Sequence, residues 1–188
     1  MGKIFWFDTE TTGLNPQRNC LVQLAYLIEI DGEIKDEGNL LSSPFPTSVI
    51  DKKALDIHGR TEEEIKAYPS PLNIHKDLCD TLSTYINKYD KTDKFIPAGY
   101  FTHFDTDMLR SFFKNCGDNY YGSWFASVSL DVSSFVAHEI VKNGLKFENH
   151  KLETICRHFK IDLQAHDALS DIKATRELFL KLINGGEV

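Results

Sequence analysis

Residues 3–41, KIFWFDTETTGLNPQRNCLVQLAYLIEIDGEIKDEGNLL, lay out three strands in succession. Lys3 to Phe7 is short, apolar and aromatic, the pattern of a buried strand. Cys20 to Ile30 is a nearly continuous apolar run and also reads as a strand. Asp31-Gly32 follows, a strong two-residue hairpin signal, and Glu33 to Leu41 is the return strand. Beyond a loop at Ser42–Thr47, Thr61 opens a helix, with Glu64 three residues on completing a capping box. Pro69 and Pro71 stop that helix and start the next, whose apolar positions keep helical spacing to Tyr89. A strand is expected at Phe95–Tyr100, a helix at Thr106–Asn115 and a strand at Ser127–Val132. Helices are expected at Val132–Val141, Lys151–Phe159 and Ala168–Ile183. Hairpin-joined strands followed by strands alternating with helices imply an α/β fold, a mixed sheet covered by helices.

The 188 residues carry 21 basic and 28 acidic side chains, a net charge of −7. At roughly 100–200 residues per domain this length fits one domain, spanning 1–188, and no composition shift marks a boundary. Apolar content of 41% with 26% charged residues is that of a globular protein, not a disordered chain. No apolar run approaches the roughly 20 residues of a membrane helix, so no membrane partner is expected. The opening MGKIFWFDTE holds too few apolar residues for a signal-peptide core. The four cysteines, Cys20, Cys79, Cys116 and Cys156, form no CxxC pair, and free thiols in a reducing cytoplasm are expected. His150, Cys156 and His158 match no zinc spacing. The acidic balance speaks against coating nucleic acid by bulk electrostatics.

Asp8 and Glu10 leave the end of the first strand. Residues i and i+2 of a strand share a face, so both carboxylates project together. They repel unless something neutralises them, and a hard divalent cation is the natural candidate. Thr11, Thr12 and Gly13 follow, small residues whose backbone N–H groups could approach a ligand. Asp105, in GYFTHFDTDML, precedes a helical stretch and reads as an N-cap or as a ligand. In QAHDALSDIKATREL, Asp167 and Asp171 stand one turn apart and His166 lies just before the helix. Four carboxylates and a histidine from three separated elements suit a two-metal phosphodiesterase. The histidine, with an ordinary pKa of ~6.5, can take a proton from water near neutral pH.

FDTETTGL, HFDTDML and HDALSD together resemble the three motifs of the DEDDh (DnaQ-like) 3′→5′ exonucleases. ALDIHGRTEEEI and HKLETICRHFKI resemble further stretches of that family, and the likeness runs from Phe5 to about Leu180. The resemblance implies an RNase H-like fold: a five-stranded mixed sheet, its first three strands antiparallel, flanked by helices. It implies Asp8, Glu10, Asp105 and Asp171 as ligands of two divalent ions, Mg²⁺ or Mn²⁺. His166, in an H-x4-D pattern with Asp171, is implied as general base, and Asp167 receives no role. Thr11 and Leu14 are implied to touch the terminal nucleotide, with His58 lining its pocket. Many family members carry Asn four residues before the second-motif acid; Phe101 stands there in this chain. Phe101 and Phe104 are expected in the core in preference to stacking on a base.

The implied reaction is hydrolysis from a free 3′ end to nucleoside 5′-monophosphates, with single-stranded DNA the favoured substrate. An RNA-trimming enzyme or oligoribonuclease and a polymerase proofreading subunit are the alternatives. A homodimer or polymerase partner has no signal in the sequence. Part of the net negative charge belongs to the acid cluster itself. Lys142 to Lys160 has five basic and two acidic residues and could guide a strand to the third motif.

Overall fold

Phe5, Trp6 and Phe7 are fully buried, and this is possible because the strand that carries them is central and covered on both faces. The computed structural model describes residues 2–163 and 167–184. β1 (Lys3–Thr11), β2 (Leu21–Ile30) and β3 (Glu33–Leu41) form an antiparallel meander. The β2–β3 turn is Asp31-Gly32, both at positive φ (54° and 86°), as a tight primed hairpin requires. Helices α1 (Lys52–His58), α2 (Glu62–Lys66) and α3 (Pro71–Tyr85) follow. Then come β4 (Ile96–Gly99), α4 (Thr102–Asn115), α5 (Tyr121–Trp124) and β5 (Leu130–Asp131). The described chain closes with α6 (Val132–Asn143), α7 (Leu152–His158) and α8 (Ala168–Ile183).

The sheet order is β3-β2-β1-β4-β5, with β4 parallel to β1 and β5 parallel to β4. The expected five-stranded mixed sheet, antiparallel in its first three strands, is therefore present. Side chains alternate along β1. Phe5 and Phe7 enter a core with α3 and α4, through Leu78, Leu82, Leu109 and Phe113. Trp6 enters a second core with α6, α7 and α8, through Val136, Ile155, Ile172 and Leu178. Across this second core, Glu29 is 7% exposed and accepts hydrogen bonds from Trp6 Nε1 (2.9 Å) and Arg176 Nε (2.6 Å). β2 is buried from Leu21 to Glu29 because both its faces are covered, which explains its lack of apolar–polar alternation.

Boundaries differ from the sequence expectations where capping overrides periodicity. β1 continues through Asp8 and Glu10 to Thr11. α3 stops at Tyr85, not Tyr89, as Ile86 turns to extended backbone. α4 begins at Thr102, four residues before the expected start, and β5 is two residues long where six were expected. α1 and α5 were not anticipated. α1 buries only Leu55 and has no side-chain N-cap bond. Thr61 does cap α2, accepting from Glu64 N. At Gly99 an added Cβ would lie 2.9 Å from Phe7 O, so glycine lets β4 end close against β1.

Candidate active site

The C-terminal ends of the parallel pair β1 and β4 form the kind of edge where open α/β sheets bind ligands. Asp8 and Glu10 project there from one face of β1, the face of Trp6. Asp105 comes from the first turn of α4, which follows β4 directly. Asp171 comes from the first turn of α8. All four line one open cleft of about 360 Å³, with Thr9, Tyr100, Phe101 and Phe104.

Asp105 is not a helix cap. The N-cap of α4 is Phe101, in left-handed backbone (φ 56°), and Asp105 lies inside the helix, 5% exposed. It is held from the strand: Thr9 donates to Asp105 Oδ1 through its backbone N–H (3.0 Å) and its hydroxyl (2.6 Å). Thr9 therefore fixes the carboxylate that the helix delivers. Asp167 is the N-cap of α8, accepting from Ser170 N at 2.8 Å. That bond starts the helix and places Asp171 one turn along, facing the cleft.

Three of the acids, Asp8, Glu10 and Asp105, have raised proton affinity. Asp8 lies well above the usual carboxylate range, through burial first and then Asp105, Asp171 and Glu10. Glu10 is pushed up to about 7, through burial; Arg60 opposes this, while Asp171, Asp105 and Asp167 add to it. Asp105 is also pushed up to about 7 by burial, against the two Thr9 hydrogen bonds. Carboxylates gathered in this way need positive charge, and their oxygens are the hard donors that Mg²⁺ and Mn²⁺ prefer. The residues therefore fit divalent ions, which Asp8, Glu10, Asp105 and Asp171 could hold.

The other residues implied by the family resemblance divide. His166 lies outside the described residues. Thr11 is buried and its hydroxyl donates to Gly13 O (2.8 Å), so it shapes the loop from within. Leu14 is 81% exposed and lines a separate, largely apolar cavity with Ile57, Lys52 and Lys53. His58 ends α1, half-buried, and burial then Arg60 push its imidazole below the usual range. The expectation of a ligand-facing N–H group is corrected at Thr12. Thr12 N donates to Cys20 O (2.8 Å), and an added Cβ on Gly13 would lie 2.1 Å from Asp51 Oδ2. These residues close the loop on Asn19, Val49 and Asp51.

The core role expected for Phe101 is also corrected. Its ring is 44% exposed and stands at the cleft, edge-on to Tyr100 at 4.8 Å. Its strained backbone is secured by Asp131, whose Oδ1 accepts from Phe101 N (3.1 Å) while capping α6. Two contributors escaped the sequence reading. Thr9 sits between the two first-motif acids, and its partner lies 96 residues away. Arg60 is the cation acting on Glu10, and its guanidinium is anchored on Gln23 Oε1.

Residues 5–179 match the family model described as Exonuclease, RNase_T. The chain belongs to this exonuclease family. DNA polymerase III PolC-type of Bacillus subtilis (strain 168) is 26% identical over 179 residues, covering 94% of this chain. The chain spans only 11% of that polymerase. Ribonuclease T of Buchnera aphidicola subsp. Baizongia pistaciae is 28% identical over 202 residues, covering 94% of this chain and 82% of that protein. Among solved structures, E. coli Exonuclease I in complex with a dT13 oligonucleotide superposes with a TM-score of 0.77 at 18% identity. That match covers 96% of this chain and 41% of the other, and it shows the shared fold. The expected RNase H-like architecture is thus borne out.

Proposed function

We propose that this chain hydrolyses single-stranded nucleic acid, DNA in preference, from the 3′ end to nucleoside 5′-monophosphates. The observation that carries this reading is the meeting of Asp8, Glu10, Asp105 and Asp171 in one cleft, from a central strand and two helix first turns. These carboxylates would hold two divalent ions, which supply water activation and neutralisation of the leaving oxygen's charge. Thr9 keeps Asp105 oriented. His166, just before α8, serves as general base and takes the proton of the attacking water. Phe101 and Tyr100 offer aromatic faces at the cleft for the terminal base. Leu14, in its own apolar cavity, and His58 are assigned to the terminal nucleotide on the family resemblance alone, and buried Thr11 sets the loop that presents Leu14. The chain works as a single exonuclease domain, and its four free thiols suit the cytoplasm.

RNA trimming is the second reading. It is favoured by ribonuclease T, a relative of which this chain spans most of the length. Assembly with a polymerase is supported only by the PolC-type relatives. A time course on 5′-labelled DNA and RNA, single- and double-stranded, with Mg²⁺, Mn²⁺ or EDTA tests polarity, metal need and sugar preference together. Stepwise shortening of labelled single-stranded DNA with either metal, and none in EDTA, is expected. Release of the 5′ label as a mononucleotide at the outset would refute the polarity. His166→Ala should lower turnover strongly with metal still bound; loss of metal binding would make His166 a ligand and not the base.

A further inference from the structure

His75 and Cys79 lie four residues apart on α3 and so share a face. Asp118 lies in the loop between α4 and α5, and the fold brings it against them. His75 Nε2 stands 3.1 Å from Asp118 Oδ2, and Cys79 Sγ stands 3.6 Å from the same nitrogen. Among the described residues, these form the group of three His, Cys, Asp or Glu side chains with donor atoms all within 4.8 Å of one another. All three are half-buried. The His75 ring is held edge-on to Phe113 at 4.7 Å.

These spacings can be compared with those around a tetrahedral ion. Zinc binds imidazole nitrogen at about 2.05 Å, thiolate at about 2.3 Å and carboxylate oxygen at about 2.1 Å. A tetrahedral angle then separates N and S by about 3.6 Å, and N and O by about 3.4 Å. The S–N edge is already at that length. The N–O edge, drawn in by a hydrogen bond, needs to open by only a few tenths of an ångström. Thiolate, imidazole and carboxylate together select a borderline-soft transition ion over Mg²⁺.

We propose that His75, Cys79 and Asp118 form a zinc-class metal site that clamps α3 to the α4–α5 loop, its fourth position open to solvent. Cys116 is not a ligand, because its Sγ is directed at Pro71 O, 3.6 Å away. An entry path exists beside Asp118, where a cavity of about 620 Å³ is lined by Cys116, Lys88, Tyr89 and Trp124. Without metal, burial pushes the Cys79 thiol up to about 12, so it is protonated. Binding forms the metal–sulfur bond and releases that proton to solvent. The site is separate from the acid cleft. α4 has 14 residues and is therefore about 20 Å long, with Asp105 in its first turn and Asp118 beyond its end.

The test uses the full chain, stripped with chelator, with Co²⁺ as the spectroscopic probe and Zn²⁺ as competitor. Co²⁺ added beyond three equivalents, enough to fill the acid cleft as well, should produce a thiolate-to-cobalt charge-transfer band, and Zn²⁺ should bleach it. The acid cleft holds no sulfur and cannot produce that band. Cys79→Ser should abolish it, His75→Gln should weaken Co²⁺ binding at least tenfold, and Cys116→Ser should leave it unchanged. A folded parent protein with no band would overturn the proposal. So would a band that survives Cys79→Ser, or one lost in Cys116→Ser.

Discussion

Replacing Glu10 with Gln should raise the melting temperature of the metal-free protein. The Glu10 carboxyl is pushed from 4.5 to about 7 by burial and by the acids around it. At about 1.4 kcal/mol per pH unit, that rise bounds the cost of the ionised form at about 3 kcal/mol. Glu10 is only half-buried, so solvent screening reduces the cost to about 1–2 kcal/mol. For a domain of this size each kcal/mol moves Tm by about 2–4 °C, which gives a gain of about 2–8 °C. The sign follows from linkage. The folded pKa lies above the unfolded one, so the penalty is absent below about 4.5. It grows as pH rises and is complete above about 7. Thermal melts in EDTA at pH 8 and pH 5 check this, with the gain at pH 8 and little at pH 5. Added Mg²⁺ should reverse the order, stabilising the parent more than the variant. A Gln variant no more stable than the parent at pH 8 in EDTA, or equally stabilised at both pH values, would refute the account of the cleft as repelling carboxylates.

Asp171→Ala should reduce nuclease activity to background with the circular dichroism spectrum unchanged; retained Mg²⁺-dependent cleavage would remove Asp171 from the site. Thr9→Val deletes the hydroxyl that donates to Asp105 and keeps the backbone bond, so kcat should fall about 10-fold with Tm lowered by a few degrees. Steady-state kinetics beside a melt separates that loss from unfolding. Arg176→Ala leaves the Glu29 carboxylate buried beside Trp6 without its cation, at a cost of about 3 kcal/mol, or roughly 6–12 °C in Tm by calorimetry.

The site was legible in the sequence to the degree that its geometry is local. Asp8 and Glu10 could be paired from strand alternation alone. The Asp31-Gly32 turn and the two flanking strands could be read for the same reason. Asp105 had two local readings, and only contact with Thr9 across 96 residues decides between them. Phe101 was misread because an exposed aromatic at a cleft and a buried one have the same local signature; its left-handed backbone depends on Asp131 from a different strand. α1 was invisible because one buried leucine cannot make a periodic pattern. The cluster of His75, Cys79 and Asp118 joins a helix to a loop 43 residues on, and cysteine spacing alone could not report it.

The cleft is built from two kinds of support. Asp8 and Glu10 ride on β1, the middle strand of the sheet, where it pairs with β2. Asp105 and Asp171 ride on the opening turns of α4 and α8, which are held by packing, with Thr102, Ala168 and Ile172 buried. Two carboxylates are therefore a fixed anvil, and the other two are brought to it by the starts of two helices. Asp105 is pinned to the anvil by Thr9. Asp171 is delivered by the turn that the Asp167 side chain caps, so where that helix starts decides where the fourth carboxylate stands.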